Sequence, residues 1–212
     1  MDPRHEVLAP EASTRRRLLI WDAPNVDMRI GEILGRKPTG TERPDMAAVA
    51  AWFASQGMEG EALEATVFLN VAGTSNGGLR NWIAFLTLQG FDVFAKPKVG
   101  DSDVDLDMVA HLERRRGEGG LRAVVVASHD SKRFLRPLTE TVASGVAVTV
   151  LGFPECAGQL AAAEDLSFVD LEEVSGAFKH PLPRVNLRAL PDEGRWFAAR
   201  ERIPPMRVGQ AA

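Results

Sequence analysis

Tyrosine is absent from this 212-residue chain, and cysteine occurs once, at Cys156. A single thiol makes no internal disulfide and supplies only one of the ligands that a thiolate zinc cage needs. Disulfide scaffolds and cysteine-rich zinc modules are therefore excluded, and a reducing, cytoplasmic setting is expected. No apolar run approaches the roughly 20 residues that cross a bilayer, which excludes a membrane-spanning reading. Charge of one sign is not in excess either, with 25 Lys and Arg against 29 Asp and Glu and a formal net charge of -4. Neither GxGxxG nor GxxxxGK[ST] occurs, so a glycine cradle for dinucleotide or nucleoside triphosphate phosphates has no support. What remains is 45% apolar residues, enough for one sizeable core in one compact domain with tails.

Short apolar or β-branched runs alternate with segments of helical period, the pattern of a mostly parallel sheet of five or six strands covered by helices on both faces. Strands are expected at 18–22, 65–71, 91–95, 123–128, 146–151 and 168–169. Helices are expected from a cap at Pro44-Asp45 to Gly57, then at 78–89, 103–116, 132–143, 156–164 and 171–178. Residues 1–16 lack the apolar stretch of a secretory signal and are expected to be a disordered lead-in to a domain over 17–179. From His180 to the end, five prolines break any periodicity and six arginines face three acids, which predicts a basic, loosely ordered tail over 180–212. The run GRKPTGTERP, 35–44, reads as a flexible basic loop, with Arg36, Lys37 and Arg43 available to phosphates. Trp21 and Trp52 are expected in the core.

Open parallel sheets bind ligands beyond the carboxyl ends of their strands, where strand order reverses. Three strand ends here carry acids. LLIWD ends in Asp22, with Asn25 three residues on; AVVVAS runs into His129 and Asp130; and KPKVGDSDVDLD opens a helix with Asp101, Asp103, Asp105 and Asp107. Carboxylates about 4 Å apart repel by roughly 1 to 4 kcal/mol per pair. A raised pKa or a bound hard cation resolves that repulsion, and oxygen ligands select Mg²⁺ or Mn²⁺ over zinc. Such a rim activates water and neutralises charge on a phosphodiester in flight. Each acid also has an ordinary reading. Asp22 and Asp130 can cap the turns that follow them, Asp101 can be a loop acid or cap, and Ser102 or Asp103 must cap the helix. Asp103 and Asp107 share a helical face, where one of them compensates the dipole. Asp105 either faces the cleft or sits at the edge of the core. His129 reads as a packed or surface histidine, Lys132 and Arg133 as a solvated first turn, and Arg114 to Arg116 as a helix end.

At these residues the chain resembles the NYN domain family, the PIN-like nucleases that include LabA-type proteins. The matching segments are LLIWDAPN, KPKVGDSDVDLDM, VVVASHDSKRFLRPL and GVAVTVLGF, which follow in the family's order over 18–169. The resemblance implies a Rossmann-like PIN-type fold, a Mg²⁺ or Mn²⁺ site and metal-dependent RNA cleavage. Asp22, Asp103 and Asp130 match the family's metal-binding acids, and Asn25 its asparagine. Two positions depart from the family: Lys132 stands where a second Asp is common, and Val109 where another Asp lies late in the helix, although Asp105 and Asp107 can substitute. The thinner acid set suits one metal rather than two.

The function expected is that of a metal-dependent endoribonuclease. Asp22, Asp103 and Asp130 would gather the metal, Asn25 and Asp107 would position it, and Lys96, Lys98, Lys132 and Arg133 would flank the rim as phosphate contacts. With no tyrosine, base stacking falls to Phe or Trp. The alternative is a non-catalytic PIN-like module that binds RNA, a protein partner or a second copy through the tail, a reading favoured by Lys132. A dehalogenase-like phosphatase is disfavoured because Asp22 lacks a second Asp two residues on.

Overall fold

A computed structural model of the chain describes residues 15–71, 77–100, 103–187 and 190–197. The expected lead-in up to residue 14, Asp101, Ser102, Arg188 and the chain after 197 lie outside the described residues. The elements are β1 (Arg16–Asp22), α1 (Ala23–Leu34), α2 (Met46–Ser55), β2 (Ala62–Val71), α3 (Gly77–Leu88), β3 (Asp92–Pro97), α4 (Asp105–Gly117), β4 (Leu121–Ala127), α5 (Ser131–Ala143), β5 (Ala147–Gly152), α6 (Pro154–Ala157), α7 (Gln159–Ala162) and β6 (Ser167–Asp170). The six strands form one sheet in the order β3-β2-β1-β4-β5-β6, with every neighbouring pair parallel. This is the doubly wound α/β arrangement expected, and its order reverses between β1 and β4.

Successive side chains of a strand point to opposite faces, and a central parallel strand is buried on both, so β1 reads as the continuous run LLIW. Leu19 and Trp21 pack on one face with Val26 and Ile30 of α1, Val49 and Phe53 of α2 and Leu86 of α3. Leu18 and Ile20 pack on the other with Met108 and Leu112 of α4 and Phe134 and Leu138 of α5. Trp21 is buried, as expected, and Trp52 packs half-buried against the same cluster.

Four segments differ from expectation. A twelve-residue helix, α1, follows β1 directly, with Pro24 in its first turn and Gly35 closing it at φ 70°. The 35–44 loop is fastened rather than free. Arg36 pairs with Glu42, Thr39 and Glu42 form a capping box around a 3-10 turn, and Arg43 makes two 2.7 Å bonds to Asp27. The helix expected at 156–164 is two single turns broken at Gly158, whose φ of 50° interrupts the helix. The helix expected at 171–178 is only a 3-10 turn, Leu171–Glu173.

The chain beyond 179 is also held, at least through Arg184. The Arg184 side chain is 6% exposed, and its guanidinium bonds Glu155 at 2.6 Å and both Asp170 and Glu172 at 2.7 Å. It also lies 4.9 Å from the centre of the Phe153 ring. One cation thus joins the segment after 180 to α6 and to the end of β6. Removing one partner of a buried ion cluster leaves the others desolvated and unpaired, so Arg184→Ala should lower unfolding free energy by about 3 kcal/mol in urea titrations. An unchanged midpoint would mean that the clasp contributes nothing.

Candidate active site

Asp22 is the last residue of β1, beside the point where strand order reverses, and is 1% exposed. Its Oδ1 accepts the Asn25 backbone N–H at 3.2 Å and its Oδ2 accepts the Ser128 hydroxyl at 2.8 Å. Burial pushes its pKa up to about 7. The two hydrogen bonds oppose that rise, and the charges of Asp105 and Asp103 add to it.

Asp105 opens α4 and is buried with Met108 and Leu112 on the helix face turned to the core. Its pKa is raised to about 6, first by burial and then by Asp103 and Asp130, against a lowering by Arg133. Arg133 Nε lies 3.9 Å from Asp105 Oδ2. Asp103 Oδ1 accepts the Val104 N–H at 2.7 Å. Asp130 caps α5, its Oδ1 accepting the N–H groups of Lys132 at 2.9 Å and Arg133 at 3.2 Å.

Asp22, Asp103, Asp105 and Asp130 therefore share one electrostatic neighbourhood, whereas Asp107 does not join it. Asp107 accepts a 2.7 Å bond from Lys96 Nζ, and both residues are partly exposed. The correction follows from where α4 starts. With the first helical residue at Asp105, Asp103 precedes the helix, and Asp107 turns two positions off the inward face. The pairing also commits Lys96 to a carboxylate. Lys98 and Lys132 are exposed, and Arg133 reaches toward Asp105.

Asn25 lies in the first turn of α1. Only its backbone reaches Asp22. Its Oδ1 accepts the His129 backbone N–H and ring Nδ1–H, both at 2.9 Å. His129 Nε2 in turn accepts the Phe153 N–H at 2.8 Å, which fixes the Nδ1–H tautomer. Burial, then Arg29, lowers the His129 pKa to about 3. This histidine is a neutral, fully bonded tie rather than a proton donor. Ser128, unassigned from the sequence, is the side-chain donor to Asp22. The only signal for it was its place at the exit of β4, opposite the exit of β1.

Among the described residues, no three His, Cys, Asp or Glu side chains converge as an ion-holding group. Local donors engage these acids instead: Asp130 through its helix cap, Asp22 through Ser128 and Asn25, and Asp103 through the Val104 N–H.

A parallel doubly wound sheet with acids gathered at its switch point defines a PIN-like α/β protein. The chain belongs to the NYN domain family, whose model matches residues 16–172. Its fold is similar to that of a protein of unknown function from Vibrio parahaemolyticus, at 16% identity and a TM-score of 0.52, covering 76% of this chain and 96% of that one. No curated protein matches the chain.

Two predictions follow from this geometry. A Cβ added at Gly152 would lie 2.6 Å from His129 Nε2, so Gly152→Ala should cost about 2 kcal/mol of stability and lower the melting temperature. An unshifted melt would show that the His129 tie is slack. Asp22 binds its proton more tightly folded than unfolded, so stability falls as pH rises from its ordinary 3.8 to about 7. His129 has the opposite sign: its contribution is present above its ordinary 6.5 and is lost as pH falls toward 3. In chelator, the stability of Asp22→Asn relative to wild type cancels the histidine. That difference should move in the variant's favour by up to about 1.4 kcal/mol per pH unit between about pH 4 and 7. Urea titrations across that range check it, and a pH-independent difference would refute the raised pKa.

Proposed function

We propose that this protein is a metal-dependent endoribonuclease that hydrolyses RNA phosphodiesters with water at the Asp22 rim. The observation that carries the reading is the gathering of Asp22, Asp103, Asp105 and Asp130 from three separate chain segments, with Arg133 the one cation within 4 Å of their carboxylates among the described residues. NYN family membership supports RNA as the substrate.

The donor set fits a hard divalent cation, Mg²⁺ or Mn²⁺: every candidate ligand is a carboxylate oxygen, and the pKa values of Asp22 and Asp105 are raised where these carboxyl groups gather. Asp22, Asp103 and Asp130 would hold the ion, with Asp105 in place of Asp107 as the fourth acid. Bound there, such an ion lowers the pKa of water and neutralises charge that develops on the phosphodiester. Ser128 and the Asn25 N–H fix the Asp22 carboxyl at the strand end. Asp105, with a pKa near 6, is suited to take up a proton close to neutral pH. The Asn25–His129 tie holds the exits of β1 and β4 together, so that Asp22 and Asp130 keep their spacing.

A second reading, a non-catalytic RNA-binding or protein-interaction module, is favoured by one observation: no three-ligand group is formed among the described residues. Incubation of a mixed single-stranded RNA pool with Mn²⁺ separates the two. Asp22→Asn and Asp130→Asn should each reduce cleavage at least about a hundredfold, while Asp107→Asn should stay within about threefold of wild type. Equal activity in all four proteins would refute the nuclease site. RNA binding without cleavage, lost on truncation after Leu187, would establish the module instead.

A further inference from the structure

A cleft of about 1280 Å³ opens on the sheet face opposite α4 and α5, at the same carboxyl edge as the acids. Ligand pockets typically enclose about 300 to 1,000 Å³, so the cleft has room for a nucleotide with part of its neighbour. Its walls carry Trp82 and Phe85 from α3 and Phe178 from the segment after β6, and Lys37 and Lys179 stand among the residues around it. Both lysines are exposed, and among the described residues neither has a carboxylate partner, unlike Lys96, Arg36 and Arg43. Asn70, at the end of β2, lines the cleft, and its Oδ1 is buried without a hydrogen-bond partner. A buried acceptor in that state is uncommon, and a small rotation of the amide would offer it to a ligand amino group.

The cleft adjoins the rim through the chain itself. Ala23 and Pro24, the two residues after Asp22, form part of its lining. Aromatic walls, unpaired cations and an unmet hydrogen-bonding group together match a nucleotide: a base to stack, a phosphate to pair and an exocyclic group to bond. An aliphatic ligand would use only the first of these features, and an acidic peptide chiefly the second.

We infer that this cleft binds a nucleotide of single-stranded RNA next to the phosphodiester cleaved at the Asp22 rim, stacking its base on Trp82 and Phe85 and pairing its phosphates with Lys37 and Lys179. The assignment rests on the ribonuclease reading and places the substrate strand across both faces of the β1 exit. Phe85 is 38% exposed, so it can be replaced without opening the core.

Binding is measured by fluorescence anisotropy with the full-length protein and a short fluorescein-labelled single-stranded RNA in EDTA, where cleavage does not intervene. Phe85→Ala should weaken binding about tenfold or more, Phe85→Trp should restore it, and Lys37→Ala and Lys179→Ala should each flatten the salt dependence of the affinity. RNA bound equally by wild type and all four variants would overturn the inference while leaving Asp22-dependent cleavage untouched. Failure of the wild type to bind RNA would overturn it as well, and the ribonuclease reading would fall only if cleavage were absent too. Adenosine monophosphate that quenches tryptophan fluorescence saturably in wild type, with RNA binding indifferent to Phe85, would assign the cleft to free nucleotides and likewise overturn it.

Discussion

Asp22 ends a central strand that is buried on both faces, and a carboxyl group in that place has three ways to exist: protonated, hydrogen-bonded, or beside a cation. The Ser128 hydroxyl and the Asn25 amide supply the second, but they do not offset burial, and the pKa stays near 7. The neighbours move it the wrong way. Asp105 and Asp103 lie close enough to raise it, and the Asp105 carboxyl is itself raised, by burial and then by Asp103 and Asp130. Such an arrangement is unfavourable for a purely structural cluster, because apolar residues at the same places would stabilise the fold more. A divalent ion seated among the carboxylates, as proposed, would offset that penalty.

The second constraint is how the exits of three parallel strands are kept at fixed spacing without a ligand. Asn25 follows β1, His129 follows β4 and Phe153 follows β5, and a chain of hydrogen bonds joins all three through one imidazole. Each ring nitrogen is used once, as donor to Asn25 and as acceptor from Phe153, so the ring is satisfied only in its neutral form. Gly152 completes the arrangement by lacking the Cβ that would meet Nε2. The asparagine of the motif thus acts on the site through the backbone path of the rim rather than by touching Asp22 with its side chain.

The strands and most of the helices were legible because apolar period and burial agree along them: LLIW, VVVA and the Met108–Leu112 spacing each describe one buried face or two. What misled was chemistry with two readings. AlaProAsn after Asp22 reads as a turn, yet Pro is equally at home in the first turn of a helix, and Val26 and Ile30 continue the period of α1. GRKPTGTERP has the composition of a mobile loop, but its charges pair within it and with Asp27, which no local pattern reveals. Asp107 meets Lys96 while Asp105 neighbours the other acids, and α4 begins at Asp105, two residues later than its expected start. Arg184 was counted among the cations of a basic tail, and only the fold shows that Glu155, Asp170 and Glu172 converge on it.

These pairings redraw the charge available to a polyanion. Of the cations expected to contact phosphate, Lys96 faces Asp107, Arg36 faces Glu42 and Arg43 faces Asp27, while Arg184 is spent inside the body. The whole chain carries a formal net charge of -4, and four of its carboxyl groups gather at the rim where a phosphodiester would have to sit. An RNA strand approaching a bare rim is repelled over the Debye length of about 8 Å at physiological ionic strength. A divalent ion seated among the carboxylates would change the sign of that encounter before any bond is broken. On the proposed mechanism, metal therefore adds to recruitment of the strand at the rim, while Lys37 and Lys179 across the β1 exit supply an attraction that holds RNA without it.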